Sequence, residues 1–344
     1  MLQQLLDVLP GDLAVGQDVF GPEGRAMDDL YARCGVQLTQ RRLWQQMWLE
    51  LNPRAHVWSV SVKAGKRLDG VLVLHETAGA TGERVVRGLC PRGDDRLVPA
   101  LASPAAGRVL ARTMATVLGA RKRPWSLALG PVPLSDGFLR QLQGALPGSR
   151  LVSGASIPLI DPWATRDLCS GGSNDMCLST NLQRNLRKAS NRLAVDGRSA
   201  HIEVVRGAPG IDSWLTRVWQ LRCERDAFVG RPHADADGIL QRFWRESLRA
   251  HANLDLVELS LLHIDRHLAA YTLALTEPGV YRVLEGRFDS ALARYNPGRL
   301  LEADVVRRVV CREGRQVDWM NGVAPEKLVA ATTLEPTQWL HAEG

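Results

Sequence analysis

The stretch Tyr281–Asp289 reads Tyr-Arg-Val-Leu-Glu-Gly-Arg-Phe-Asp, and its β-branched and aromatic character predicts a strand. Side chains alternate along a strand, so Tyr281, Val283, Glu285, Arg287 and Asp289 share one predicted face. Glu285 and Asp289 thereby come into line. A carboxylate held in this way can take a proton from a nucleophile, directly or through a water. The plainer alternative is pairing with Arg287 or with a neighbouring strand.

Just downstream, Asn296-Pro297-Gly298 reads as the start of a helix, because Asn is a favoured N-cap and Pro is favoured at the first helical position. The helix is expected to run to about Glu313 and stop at Gly314. Pro297 has no N–H, so the free donors of the first turn are expected to be those of Gly298, Arg299 and Leu300. Strand, short loop and helix start together form an anion cradle, and Gly298 lets a ligand approach the backbone closely. A well-capped connection with no ligand is the competing reading.

A third feature is the helix predicted over 180–197 and closed by Gly197. Leu182, Leu186, Ala189 and Leu193 form its apolar stripe, and Arg184, Arg187, Lys188 and Arg192 fall on the opposite side. Such a face meets phosphates or is simply solvated.

These elements sit in a chain of 344 residues that is 45% apolar and 23% charged, the composition of a globular protein long enough for two domains. Its net charge of +6 suits acidic ligands such as phosphates without demanding nucleic acid. The first residues carry Asp7 and Asp12 and no basic leader, and no apolar run approaches about 18 residues. The expectation is a cytoplasmic protein without membrane insertion. Six scattered cysteines with no Cys-x-x-Cys pair predict free, mostly buried thiols. His263 and His267 flank a predicted hairpin turn, and no metal site is expected.

Both halves alternate helices and strands in the order helix, hairpin, strand, helix, strand, which predicts an α/β layered architecture. The turn-rich stretch Asp161–Ser179 separates them, giving expected domains 1–165 and 166–344.

The second half, from the basic helix through "EGRFD", "YNPGRLL" and "VDWMNG" to Lys327, resembles the tandem GNAT-type acyltransferases, a group that includes the CelD-like acetyltransferases and the Fem-type aminoacyl transferases. The resemblance implies two GNAT-like domains in tandem, α+β in character, each a mixed central sheet flanked by helices. It implies an acyl-CoA co-substrate, acetyl-CoA foremost, whose pyrophosphate is held by Asn296, Gly298, Arg299 and Leu300. Arg294 to Arg299 departs from the superfamily's usual Q/R-x-x-G-x-G/A by its spacing and by lacking the second glycine. The implied reaction is N-acyl transfer to a small amine such as an amino acid, an amino sugar or a natural-product intermediate, with Glu285 or Asp289 as base. Arg184, Arg187, Lys188 and Lys327 then contact the substrate, although Glu326 stands where the family often has a tyrosine before that lysine. Asp318 is expected to be structural. Two alternatives remain: a Fem-type transferase taking an aminoacyl group from tRNA, and a GNAT-like binding module without catalysis.

Overall fold

The computed structural model describes residues 13–16, 24–53, 55–90, 96–160, 180–231, 238–312, 315–320 and 331–344. The expected linker 161–179, the helix stop at Gly314 and the candidate Lys327 lie outside them. The first half contains β1 (Leu13–Gly16), α1 (Gly24–Arg33), α2 (Arg42–Leu51), β2 (His56–Ala64), β3 (Arg67–Ala78), β4 (Arg84–Gly88) and β5 (Ala100–Leu101). It continues with α3 (Pro104–Gly119), β6 (Trp125–Pro133), α4 (Phe138–Ala145), β7 (Arg150–Ser153) and β8 (Ile157–Ile160). The second half contains α5 (Thr180–Val195), β9 (Ala200–Arg206), α6 (Ala208–Phe228), α7 (Ile239–Ala252), β10 (Val257–Ile264), β11 (His267–Glu277) and β12 (Val280–Phe288). A 3-10 turn (Ser290–Tyr295) leads into α8 (Pro297–Cys311), followed by β13 (Gln316–Asp318), β14 (Thr333–Glu335) and β15 (Thr337–Glu343).

Two mixed sheets result, each flanked by helices, as tandem GNAT-like domains require. The first runs β1-β2-β3-β4-β6-β15-β7 and the second, in the same sense, β9-β10-β11-β12-β13-β8-β14. In each, a hairpin (β2/β3 or β10/β11) is followed by an antiparallel strand and then by a parallel step, β4 to β6 or β12 to β13. A parallel step requires a crossover. Helices α3 and α8 provide it.

The compact units are Met1–Ser156 with Glu335–Gly344, and Ile157–Leu334. The expected division at 165/166 therefore differs at both ends. Residues 150–160 form two strands in different sheets: β7 pairs with β15, and β8 pairs with β13. Strand β15 lies between β6 and β7 in the first sheet although it follows the whole second unit in sequence. The break falls at Gly154, where a Cβ would meet Thr337 Oγ1 at 2.4 Å, so the close approach of β15 admits no side chain there.

The cores follow from the apolar spacing. In the first unit Leu110, Met114 and Leu118 of α3 and Leu139 and Leu142 of α4 pack on Trp58, Val60, Leu72, Leu127 and Leu340. In the second, the predicted α5 stripe is buried, and Leu182 and Leu186 join Tyr281, Val283, Val305 and Val306 in one cluster. Helix α5 stops at Gly197, whose φ of +62° is the left-handed cap conformation glycine adopts without strain.

Candidate functional site

Strand β12 does not keep a single phase. Ala274 of β11 faces Val283, but the next residue back, Leu273, faces Glu285, so Leu284 is an extra residue that bulges the strand. Before the bulge, Tyr281 and Val283 point into the cluster with α5 and α8. After it, Glu285 lies 3.2 Å from Arg222 Nε, and Arg287 Nε donates to Asp226 at 2.9 Å, both partners on α6. The expected common face of five residues is thus split between two helical layers. Asp289 is displaced further: one oxygen accepts from the Ala291 amide at 2.8 Å, capping the 3-10 turn, and the other lies 2.7 Å from His267 Nε2. Glu285 and Asp289 are not an aligned pair.

Around Glu285 the groups are tightly tied. Its side chain is 11% exposed and accepts a 2.6 Å hydrogen bond from the Tyr271 hydroxyl. Burial, followed by the Glu285 charge, pushes the Tyr271 pKa well above its ordinary value, so this hydroxyl stays protonated and keeps donating. Burial alone would raise Asp226, but the Arg287 hydrogen bond and the charges of Arg287, Arg222 and Arg231 hold it below the usual carboxylate range. Glu285 is thus held at the bulge by the Tyr271 hydroxyl on one side and Arg222 on the other.

The loop after β12 is anchored from α5. Tyr295 is buried and donates to Asp196 at 2.6 Å, Arg294 pairs with the same oxygen at 2.9 Å, and Arg192 Nη1 donates to the Arg294 carbonyl at 2.5 Å. Asn296 then adopts φ 49°, a left-handed value Asn tolerates, and α8 begins. Its side chain makes no capping bond. Its carbonyl, however, accepts from the amides of Arg299 at 3.0 Å and Leu300 at 3.2 Å. The expected three free donors are therefore reduced: of the three, the amide of Gly298 is the one without an acceptor among the described residues. A Cβ on Gly298 would sit 3.5 Å from Phe288 Cδ1, an ordinary contact, so the half-buried position has room for a Cβ. The Arg299 side chain is turned to Glu302. Leu300 packs against the two core clusters beside α5 and α8.

Arg184, Arg187 and Lys188 are exposed on α5, as the spacing predicts. The described cysteines, Cys34, Cys90, Cys223 and Cys311, are free but less buried than expected, with Cys311 exposed. Among the described residues no group of three or more His, Cys, Asp or Glu is placed to hold a metal, and no helix is long and apolar enough to cross a membrane. His263 stacks on His201, with ring centroids 4.7 Å apart. Asp318 is fully buried, pairs with Arg282 and accepts from the Met320 amide at 2.8 Å, a structural role.

One functional-looking group escaped the sequence reading. Glu258 on β10 is fully buried and takes Arg206 at 2.6 Å, Arg312 at 2.7 Å, Arg308, and the Tyr281 hydroxyl at 3.0 Å. Burial would raise its pKa, but the bond from Arg312, the Arg308 charge and the remaining bonds lower it from 4.5 to about 2. It is a permanently charged hub, not a base. A lone carboxylate in the apolar run Val-Glu-Leu-Ser-Leu-Leu was its available signal.

Residues 180–328 match the family described as the Acetyltransferase (GNAT) domain. Among solved structures, FemX superposes with a TM-score of 0.63 at 10% identity, covering 91% of this chain and 95% of its own. A conserved protein of unknown function from Bacteroides thetaiotaomicron gives 0.60 at 10% identity, covering 96% and 99%. The L-PGS of Bacillus licheniformis gives 0.51 at 9% identity, covering 93% and 91%. No curated protein matches the chain. At such identities structural likeness speaks to fold alone. Residues 180–328 thus carry the fold of a GNAT acetyltransferase domain, set within a two-sheet architecture shared with FemX.

Proposed function

We propose that the second unit transfers an acyl group, acetyl in the first instance, from acyl-CoA to the amine of a small-molecule acceptor. The observation that carries this reading is the pairing, at the two ends of one short segment, of Glu285 at the β12 bulge with the open Gly298 amide at the start of α8. The helix start, with its positive dipole end, receives the pyrophosphate, and Asn296, Arg299 and Leu300 shape that turn. Glu285 accepts the proton that the acceptor nitrogen loses. The nitrogen lone pair attacks the thioester carbonyl, the C–N bond forms, and the C–S bond breaks with CoA leaving as the thiolate. Tyr271 and Arg222 orient the Glu285 carboxylate by the bonds already described. Asp289 serves the loop rather than the proton.

The basic face of α5 supports a second reading, an aminoacyl group delivered on tRNA. Four cations and no carboxylate occupy the 16 residues of that helix, and one of them, Arg192, bonds the loop directly. In this reading Arg184, Arg187 and Lys188 follow a phosphate backbone, and Lys327 adds a cation for the acceptor. Native mass spectrometry of the protein with a panel of acyl-CoAs and with charged tRNA decides between them. Retention of acyl-CoA supports the first reading, retention of tRNA the second, and retention of neither leaves a binding module.

A further inference from the structure

The C-terminal half of α6 gathers Arg222, Arg225, Asp226 and, just past its end, Arg231, against Glu285 and Arg287 of β12. Of these four arginines, three have carboxylates: Arg222 lies 3.2 Å from Glu285 and 3.6 Å from Asp226, Arg287 is 2.9 Å from Asp226, and Arg231 is 3.4 Å from Asp226. Arg225 makes no ion pair among the described residues. Its neighbour Glu224 is engaged by Gln220, 2.7 Å away. Two carboxylates against four guanidinium groups leave a local excess of positive charge beside the proposed base.

Arg225 is nonetheless held in place. Nη1 donates to Ser290 Oγ at 2.9 Å, and the guanidinium carbon lies 4.2 Å from the centroid of the Phe288 ring and 5.4 Å from that of Phe228, which is 71% exposed. A long, flexible side chain fixed between two aromatic rings and a hydroxyl has already lost its rotamer freedom, and its remaining N–H groups lack an acceptor among the described residues. Such preorganisation suits a planar or tetrahedral oxyanion. Arg225 is also one helical turn from Arg222, the residue that holds Glu285, so base and free cation are presented by the same stretch of α6. The candidate donor loop is tied to α5 at its far end and to Arg225 at its start, through Ser290.

We infer that the acceptor is an amine that also carries an acidic group, with the amine directed to Glu285 and the anion received by Arg225 as a specificity-determining residue. This rests on the acyltransferase reading of the same site. A carboxylate, as in an α-amino acid, and a phosphate, as in a phosphorylated amino sugar, share the required chemistry.

The test is binding by equilibrium dialysis without donor, so that it does not depend on transfer. The probes are a panel of L-α-amino acids against their α-amides, and glucosamine 6-phosphate against glucosamine. The expected result is retention of the anion-bearing amine over its anion-free counterpart by about tenfold or more, weakened about 10- to 100-fold by Arg225→Gln and partly restored by Arg225→Lys. The pair that discriminates identifies the anion as carboxylate or phosphate. Equal retention of amines with and without the anionic group, or of none, overturns the inference, and dialysis of the parent protein alone is enough to do so. A loss of acetyl-CoA affinity in Arg225→Gln that vanishes with 3′-dephospho-CoA also overturns it, because the anion then belongs to the donor. Acyl transfer to no amine at all would sink the proposed reaction while leaving the dialysis result standing.

Discussion

Trp58 and Glu258 occupy matching places in the two sheets, each four residues before the register shift of its hairpin, at Val62/Lys63 and at Leu262/His263. Trp58 is part of an apolar cluster with Arg121 over its ring at 5.3 Å, whereas Glu258 is ringed by three arginines. The next strand shows the same contrast. Val73 is paired with Leu89, which is buried, and its counterpart Leu273 is opposite Glu285. Only the second of these strands bulges at that point: Leu74 faces Gly88 and the register runs on without a shift. The crossover helices differ too. Ser103 caps α3 through its side chain, 3.1 Å from the Ala106 amide, whereas Asn296 leaves α8 without a side-chain cap. One strand order thus supports two outcomes. The first unit spends its matching positions on packing and capping, and the second places charge and an open helix end there.

The largest effect is expected at Glu258. Replacing it with alanine leaves Arg308 and its companions without their buried counter-charge, and unfolding in urea should show a loss of about 3–5 kcal/mol. The pH dependence has a definite sign. Because folding lowers this pKa from 4.5 to about 2, its contribution is complete above pH 4.5 and is lost as pH falls toward 2. Glu258→Ala should flatten that acid limb. An unchanged limb would mean that the hub is no more than the charged equivalent of Trp58.

Glu285→Gln comes next. It keeps the Tyr271 contact but removes the base, so turnover should fall about 10²-fold or more while the urea midpoint barely moves. A fall in stability with intact turnover would place Glu285 with Leu89, as packing. Gly298→Val should then lower acetyl-CoA affinity by about tenfold in calorimetry, since the branched side chain occupies the approach to its own amide. The fold accepts the substitution, because φ is not left-handed and Phe288 leaves room, so the stability cost should stay within about 1 kcal/mol. The smallest effect is in the first unit. Ser103→Ala should cost about 1 kcal/mol of stability and leave acyl-CoA affinity untouched.

Much of this was legible in the sequence where periodicity or local chemistry carries the information. The stripe Leu182, Leu186, Ala189 and Leu193 predicted which face of α5 is buried, and Asn296-Pro297 predicted where α8 begins. The position of Glu285 in the sequence was legible, but its face was not. A bulge is one extra residue without a composition of its own, and the one cue, Gly286, whose Cβ would come 3.3 Å from the Tyr271 carbonyl, is equally at home in an unbulged strand. The closing of the Arg299 and Leu300 amides onto Asn296 depends on the left-handed turn of that residue, which follows from tertiary anchoring through Tyr295 and Asp196. Pairings distant in sequence were least visible of all. Thr337–Glu343 alternates like any strand, and nothing in it names β6 and β7 as its neighbours.

That last strand also orders events in time. Leu340 and Ala342 of β15 belong to the first unit's apolar core, yet they are synthesised after every residue of the second unit. The second unit begins with β8 and so has all its strands once β14 leaves the ribosome. On a growing chain the later unit can therefore close first, while the earlier one waits with the edge of β6 bare for roughly 200 residues of translation, about 10–40 s at ordinary elongation rates. Chaperone demand during synthesis should fall on the first unit, in the interval between the completion of β7 and the arrival of β15.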